Sequence, residues 1–152
     1  MIENIARAVI IKNNKILLAK QKDKNYTFLP GGHIEFGETV TDALNRELFE
    51  ELGITGNCGL FVCAIENVFE DNSGKSCHEM GFYFSYLPDD RYSDDDFESK
   101  EDHLVFLWVD IRDLRSFNLQ PKELILVISD VWKFKDTPGF ISAIERPDTS
   151  GK

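Results

Sequence analysis

The stretch from Gly31 to Ile54, GGHIEFGETVTDALNRELFEELGI, holds six carboxylates, and three of them, Glu47, Glu50 and Glu51, fall within five residues. Residues 40 to 52 read as a helix. Thr39 and Asp42 suit a capping box at its start. Gly53 stands where a helix end favours a left-handed residue. Like charges this close repel one another and destabilise the helix that carries them. At about 100° per residue, Val40, Leu44, Leu48 and Leu52 form one apolar stripe. Asn45 lies beyond one edge of it. Glu47 and Glu51 lie near the other edge with Glu50 just outside, and Asp42, Arg46 and Phe49 fall on the back. The carboxylates therefore flank the core.

A plain solvated acidic face would interleave lysines at i, i+4. The sequence has no lysine between residues 29 and 74, and Arg46 is the cation nearest the three glutamates. Two readings follow: a solvated face, or a site whose repulsion is relieved by an added positive charge. Hard divalent cations prefer carboxylate oxygens, and Mg²⁺ keeps waters and sites for a phosphate.

Outward from this helix the chain reads as strands. Ile5 to Ile11 and Lys15 to Gln21 form a predicted hairpin across Asn13-Asn14, since Asn tolerates positive φ. Tyr26 to Leu29 is a short predicted strand ended by Pro30-Gly31-Gly32. Leu60 to Phe69 and His78 to Leu87 are predicted strands joined by a turn at residues 71 to 77. Residues 88 to 102 form an acidic loop, Leu104 to Val109 another strand. Pro121 suits the first turn of a helix running through KELILVISDVWKF. The tail RPDTSGK is expected to be mobile. The order suggests an α+β fold with helices packed on a mixed sheet. One domain is expected over residues 1–137, with a C-terminal tail over 138–152.

Charge narrows the partners. The formal net charge of −10 opposes nonspecific binding to long nucleic acid or to an anionic membrane. No apolar run reaches membrane-spanning length and no basic-then-apolar leader opens the chain, so a cytoplasmic protein is expected. Cys58, Cys63 and Cys77 are an odd set with no C-x-x-C pair, which favours free thiols over a zinc site.

The spacing from Gly32 to Ile54 carries a resemblance. Gly32, Glu38 after five residues, then Arg46-Glu47-Leu48-Phe49-Glu50-Glu51-Leu52-Gly53-Ile54 after seven matches the Nudix box, G-x5-E-x7-R-E-U-x-E-E-x-G-U, at every fixed position. The resemblance implies the Nudix fold, an α/β/α sandwich around a mixed sheet. It also implies metal-dependent hydrolysis of the pyrophosphate bond of a nucleoside diphosphate derivative, with Mg²⁺ or Mn²⁺ as cofactor and a small nucleotide as substrate. Carried over by position, Glu50 and Glu51 are metal ligands and Glu47 is a ligand or the general base. Arg46 orients a glutamate, Glu38 acts behind the ligands, and the Gly31 carbonyl completes the coordination. Gly31 and Gly32 let the loop approach metal and phosphates without a Cβ in the way. A later carboxylate is also implied, for which Glu98, Glu101 and Asp102 are candidates and Glu101 is favoured.

His103 at a strand entry reads as structural. One of Tyr26, Phe28, Phe82, Tyr83 and Phe84 is a candidate to stack on a base, though aromatics at strand spacing usually belong to a core. The marker residues of ADP-ribose, dinucleoside polyphosphate and coenzyme A hydrolases are absent from their places. A nucleoside triphosphate, a nucleotide sugar or an RNA 5′ end remains, the last weakened by the acidic charge. The alternative class is a non-catalytic Nudix-fold nucleotide-binding or sensor module, which would be expected to lose box carboxylates. Association into a homodimer is left open.

Overall fold

The structure, a computed structural model, describes residues 2–71, 73–89, 98–131 and 139–144. In chain order the elements are β1 (Ile2–Val9), β2 (Ile11–Lys12), β3 (Lys15–Gln21), β4 (Gly31–His33), α1 (Val40–Leu52), β5 (Gly56–Glu70), β6 (Ser76–Pro88), β7 (Leu104–Asp110), a 3-10 turn at Ile111–Asp113, α2 (Glu123–Val131) and β8 (Gly139–Ser142). They form a five-stranded mixed sheet in the order β4-β1-β6-β5-β8 and a three-stranded sheet in the order β2-β3-β7. β1 runs parallel to β6 and antiparallel to β4.

Alternation along the strands sends side chains to two cores, one under each helix. Ala6, Ala8, Leu17, Ala19 and Phe106 pack with Leu44, Leu48 and Leu52 of α1. Val9, Ile16, Leu18, Ile65, Tyr83 and Val109 pack with Leu124 and Ile128 of α2. The helices therefore cover opposite faces, which is the sandwich the sequence led us to expect. Among the described residues no helix is long and apolar enough to cross a membrane. The three cysteines are free thiols.

Helix α1 has the predicted bounds and ends. The Thr39 hydroxyl accepts from the Asp42 N–H at 3.1 Å. Gly53 closes the helix at φ 68°, donating to the Phe49 carbonyl at 2.8 Å. Asn13 and Asn14 take positive φ in the first hairpin.

Three expectations are corrected. The strand expected over Ile5 to Ile11 starts at Ile2 and breaks at Ile10, where the chain passes from one sheet to the other. The strand expected at Tyr26 to Leu29 forms only single bridges, Ala19 with Phe28 and Thr27 with Leu119. The strand there is Gly31–His33, because Pro30 has no N–H to donate whereas its carbonyl accepts from Ala8 at 2.9 Å. The segment assigned to a tail from residue 138 also contributes structure: Gly139–Ser142 adds β8 in parallel beside β5, and Ile141 packs against the α2-side core. Aromatic and β-branched side chains on an open edge are what a sheet recruits. The predicted second helix begins at Glu123, two residues past Pro121. Its expected end beyond Val131, the tail from residue 145 and most of the acidic loop (90–97) lie outside the described residues.

Candidate active site

Arg46 gathers most of the carboxylates. Its Nε and Nη2 donate to the two oxygens of Glu38 at 2.9 and 3.0 Å. Its Nη1 donates to Glu47 at 3.1 Å and to Glu50 at 3.2 Å, and Nη2 also reaches the His33 carbonyl at 2.9 Å. This planar fork is a geometry that only arginine offers. Arg46 is half-buried, not on the exposed back of the helix as the wheel suggested. Its hydrogen bonds to Glu38, then those to Glu47, hold its pKa well above the ordinary arginine range. The same bonds, with the Glu35 N–H, lower that of Glu38. An added cation is thus not needed to make Glu38, Glu47 and Glu50 tolerable in the folded protein. Arg46 already relieves them in part, leaving Glu51 as the carboxylate of the helix without such a partner.

Glu51 is different. Its side chain turns under the helix and is 5% exposed. It accepts from the Gly31 N–H at 3.1 Å. Burial pushes its pKa up to about 7. The charge of Arg7 and the Gly31 hydrogen bond work against that shift, and Glu47 and Glu101 add to it. Arg7, on β1, was not singled out from the sequence. It donates to the Leu29 carbonyl at 3.1 Å and to the Gly31 carbonyl, and lies 5.0 Å from the centroid of the Phe28 ring. A signal was present. Ile5, Arg7 and Val9 share one face of β1, so Arg7 is a charge at a core-facing position.

The two glycines before the box have separate reasons. Gly31 holds φ 123°, and a Cβ there would stand 2.2 Å from the Ala6 carbonyl oxygen. At Gly32 a Cβ would stand 2.5 Å from the Glu47 carboxyl carbon, so Glu47 rests where a side chain would be. Glu101 lies on the segment that docks on the helix end, where the Lys100 N–H donates to the Glu51 carbonyl at 2.7 Å. Its carboxylate is 3.3 Å from His103 Nε2 and its charge is felt at Glu51. Glu98 and Asp102 are exposed. The structure thus brings Glu38, Arg46, Glu47, Glu50, Glu51, Gly31 and Gly32 together, with Glu101 alongside.

Among the described residues, no group of three His, Cys, Asp or Glu side chains is arranged to hold a metal ion. Glu47 and Glu50 are turned onto Arg46 instead. The donor chemistry nonetheless suits a hard divalent cation: three carboxylates meet at one edge of α1, and buried Glu51 is short of positive charge.

A cavity of about 350 Å³ opens beside Arg7, lined also by Phe28, Asn67, Glu79, Tyr83 and Gln120. Of the five aromatics considered from the sequence, Tyr26, Phe28 and Tyr83 line it, whereas Phe82 and Phe84 alternate to the other face of β6.

Comparison with known proteins agrees with this geometry. The model of the NUDIX domain matches residues 3–127. An 8-oxo-dGTP diphosphatase of Buchnera aphidicola subsp. Schizaphis graminum is 31% identical over 134 residues, covering 86% of this chain and 93% of that protein. Putative nudix hydrolase 1 of Caenorhabditis elegans is 26% identical over 151 residues, and the match spans 93% of this chain but 38% of that protein's length. The solved structure of a MutT protein from Methanosarcina mazei Go1 superposes with a TM-score of 0.66 at 18% identity, over 90% of this chain and 96% of that one. The chain belongs to the Nudix family.

Proposed function

We propose that this protein is a Nudix pyrophosphohydrolase that cleaves the pyrophosphate bond of a nucleoside diphosphate derivative, of the nucleoside triphosphate or nucleotide sugar class, with Mg²⁺ or Mn²⁺. The observation that carries this reading is the carboxylate edge of α1, with three glutamates gathered by Arg46 and a fourth, Glu51, held beneath them by Gly31. Glu47, Glu50 and Glu51 would hold the cation, with the Gly31 carbonyl and Glu101 as further oxygen donors. The bound cation supplies positive charge that acidifies water and screens the phosphate oxygens.

The chain's own groups do the rest. Arg46 fixes Glu38 through a two-point contact and restrains Glu47 and Glu50. Its bond to Glu47 engages Oε1, which leaves Oε2 to serve either as a ligand of the cation or as the base that takes a proton from attacking water. Water adds to one phosphorus, the bridging P–O bond breaks, and the displaced phosphate leaves as an anion. Gly31 and Gly32 keep this space clear of side chains. A non-catalytic sensor has no need of this complete carboxylate set.

The test is a panel of nucleoside triphosphates and nucleotide sugars, each with Mg²⁺ or Mn²⁺ and in excess chelator, read by product mass in ¹⁸O-water. Cleavage that needs the cation, is lost in Glu51→Gln and puts ¹⁸O in one phosphate product is expected. No cleavage of any panel member, or full activity in chelator, would overturn the reading.

A further inference from the structure

The cavity beside the carboxylate edge has an axis set by strand register. Arg7 pairs with Gly31 on one side and with Tyr83 on the other. Two residues back along β1, Ile5 pairs with Gly81, and two further, Glu3 pairs with Glu79. Asn67 of β5 pairs with Glu79 from the other flank. Arg7, Gly81, Tyr83, Glu79 and Asn67 thus share one sheet face. Arg7 marks the end next to Gly31 and Glu51. Glu79 marks the far end, four residues of strand away, or roughly 13 Å.

The bottom of the cavity between them is closed by Tyr83, which is buried. Gly81 has no side chain, and the Tyr83 ring lies over it: a Cβ at Gly81 would come within 2.9 Å of the Tyr83 ring and hydroxyl. Phe28 and Tyr26 wall the cavity, and Gln120 approaches from before α2. Partly exposed aromatic walls over a bottom closed by buried Tyr83, with amides at the rim, suit a planar heterocycle.

Glu79 is the half-buried carboxylate at the far end, where the exposed Glu70 also borders the cavity. Burial raises its pKa and Arg7 opposes the rise. Its neighbour Glu3 is engaged with His33 at 3.3 Å. The Glu79 carboxylate shows no hydrogen bond or ion pair with a described residue, and Glu79 borders the cavity. An ionised carboxylate only accepts hydrogen bonds, and its two oxygens match two adjacent donors. Uracil flanks its one ring N–H with carbonyls, and adenine and cytosine offer only the exocyclic amino group. The guanine edge offers N1–H and the 2-amino group side by side.

We propose that Glu79 is the base-reading residue of this site, and that it selects a guanine-type base by accepting hydrogen bonds from N1–H and the 2-amino group. This rests on the pyrophosphohydrolase reading only for the orientation of the substrate, phosphates toward Arg7 and base toward Glu79.

The test is direct binding of GMP, dGMP, IMP and AMP to wild type and to Glu79→Gln, by calorimetry, with circular dichroism to check the fold. IMP lacks only the 2-amino group. Hydrogen bonds to a charged group are worth about tenfold to a hundredfold in affinity. GMP should therefore bind wild type at least about tenfold more tightly than IMP, and more tightly still than AMP. In Glu79→Gln the GMP to IMP ratio should fall toward one, with dGMP following GMP throughout. Equal affinities in wild type, a ratio unchanged in Glu79→Gln, or no binding of any of the four at millimolar concentration would overturn the proposal. A Glu79-dependent loss on going from GMP to dGMP, without discrimination against IMP, would assign the carboxylate to the ribose and overturn it equally. Because binding is read without turnover, a catalytic failure in the nucleotide panel stays separable from a failure here.

Discussion

Two groups of glutamates on and around one helix meet opposite fates. Glu38, Glu47 and Glu50 share Arg46 at 2.9 to 3.2 Å, near the surface. Glu51, one residue past Glu50, turns inward, receives one backbone N–H and has its pKa pushed up to about 7. Both groups belong to one charge run. What separates them is burial and the kind of partner: a forked cation at hydrogen-bond range satisfies three carboxylates, whereas Arg7 reaches Glu51 through charge alone. A run of like charges is therefore not one electrostatic object, and the residue under strain is the one the sequence places nearest the apolar stripe.

The contrast can be broken most severely at Glu51. Glu51→Gln should lower kcat/KM on the best panel substrate by about a thousandfold, near 4 kcal/mol of transition-state stabilisation, with an unchanged circular dichroism spectrum. Activity within threefold of wild type would remove Glu51 from the machinery. The next effect is on stability and has a definite sign with pH. Unfolded, Glu51 ionises near 4.5; folded, only near 7. Between those values the native state holds the extra proton, so stability falls as pH rises through the window and the penalty is complete above pH 7. In metal-free protein, Glu51→Gln should thus be more stable than wild type at pH 8, by up to about 3 kcal/mol, and gain little at pH 5. Urea unfolding at the two pH values checks this. Equal gains at both would mean that Glu51 is not the titrating group.

Arg46→Ala should do the reverse for the outer group and lower the Tm by roughly 3–6 °C. The loss is moderate because Glu50 is half exposed and exposed pairs contribute little. Arg46→Lys should recover only part of it, since an ammonium cannot fork onto Glu38. Thermal melts of the two variants decide; full rescue by lysine would reduce the fork to mere charge. The smallest effect is a control at the helix end. Thr39→Ala should cost about 1 kcal/mol by removing the cap, with KM and kcat unmoved, which denaturant melts and steady-state kinetics would show.

Much of this was legible in the chain. Apolar spacing and the Thr39 and Gly53 signals set helix α1 to the residue, and local periodicity found the strands on both sides of it. Long-range pairing was less visible. Nothing local to Tyr26–Leu29 says that its neighbour Gly31–His33 takes the ladder with β1, or that Gly139–Ser142 reaches an edge of β5. In the site, box spacing brought out Glu38, Arg46, Glu47, Glu50 and Glu51. Spacing along one helix carries no information about what another strand brings to it, so Glu79 and Asn67 became apparent only once the register was known, and Arg7 was legible only as a charge at a core-facing position of its own strand.

Gly31 has a hand in both halves of the site. Its N–H holds Glu51, and its carbonyl is held by Arg7, which also lies against Phe28 in the wall of the cavity. The link is short and stiff: a ring, a guanidinium and one residue of backbone. If the cavity receives a base as proposed, a base that displaced Phe28 or Arg7 on entry would pull on the residue that positions Glu51. Occupancy of the cavity would then be reported at the carboxylates through contact alone.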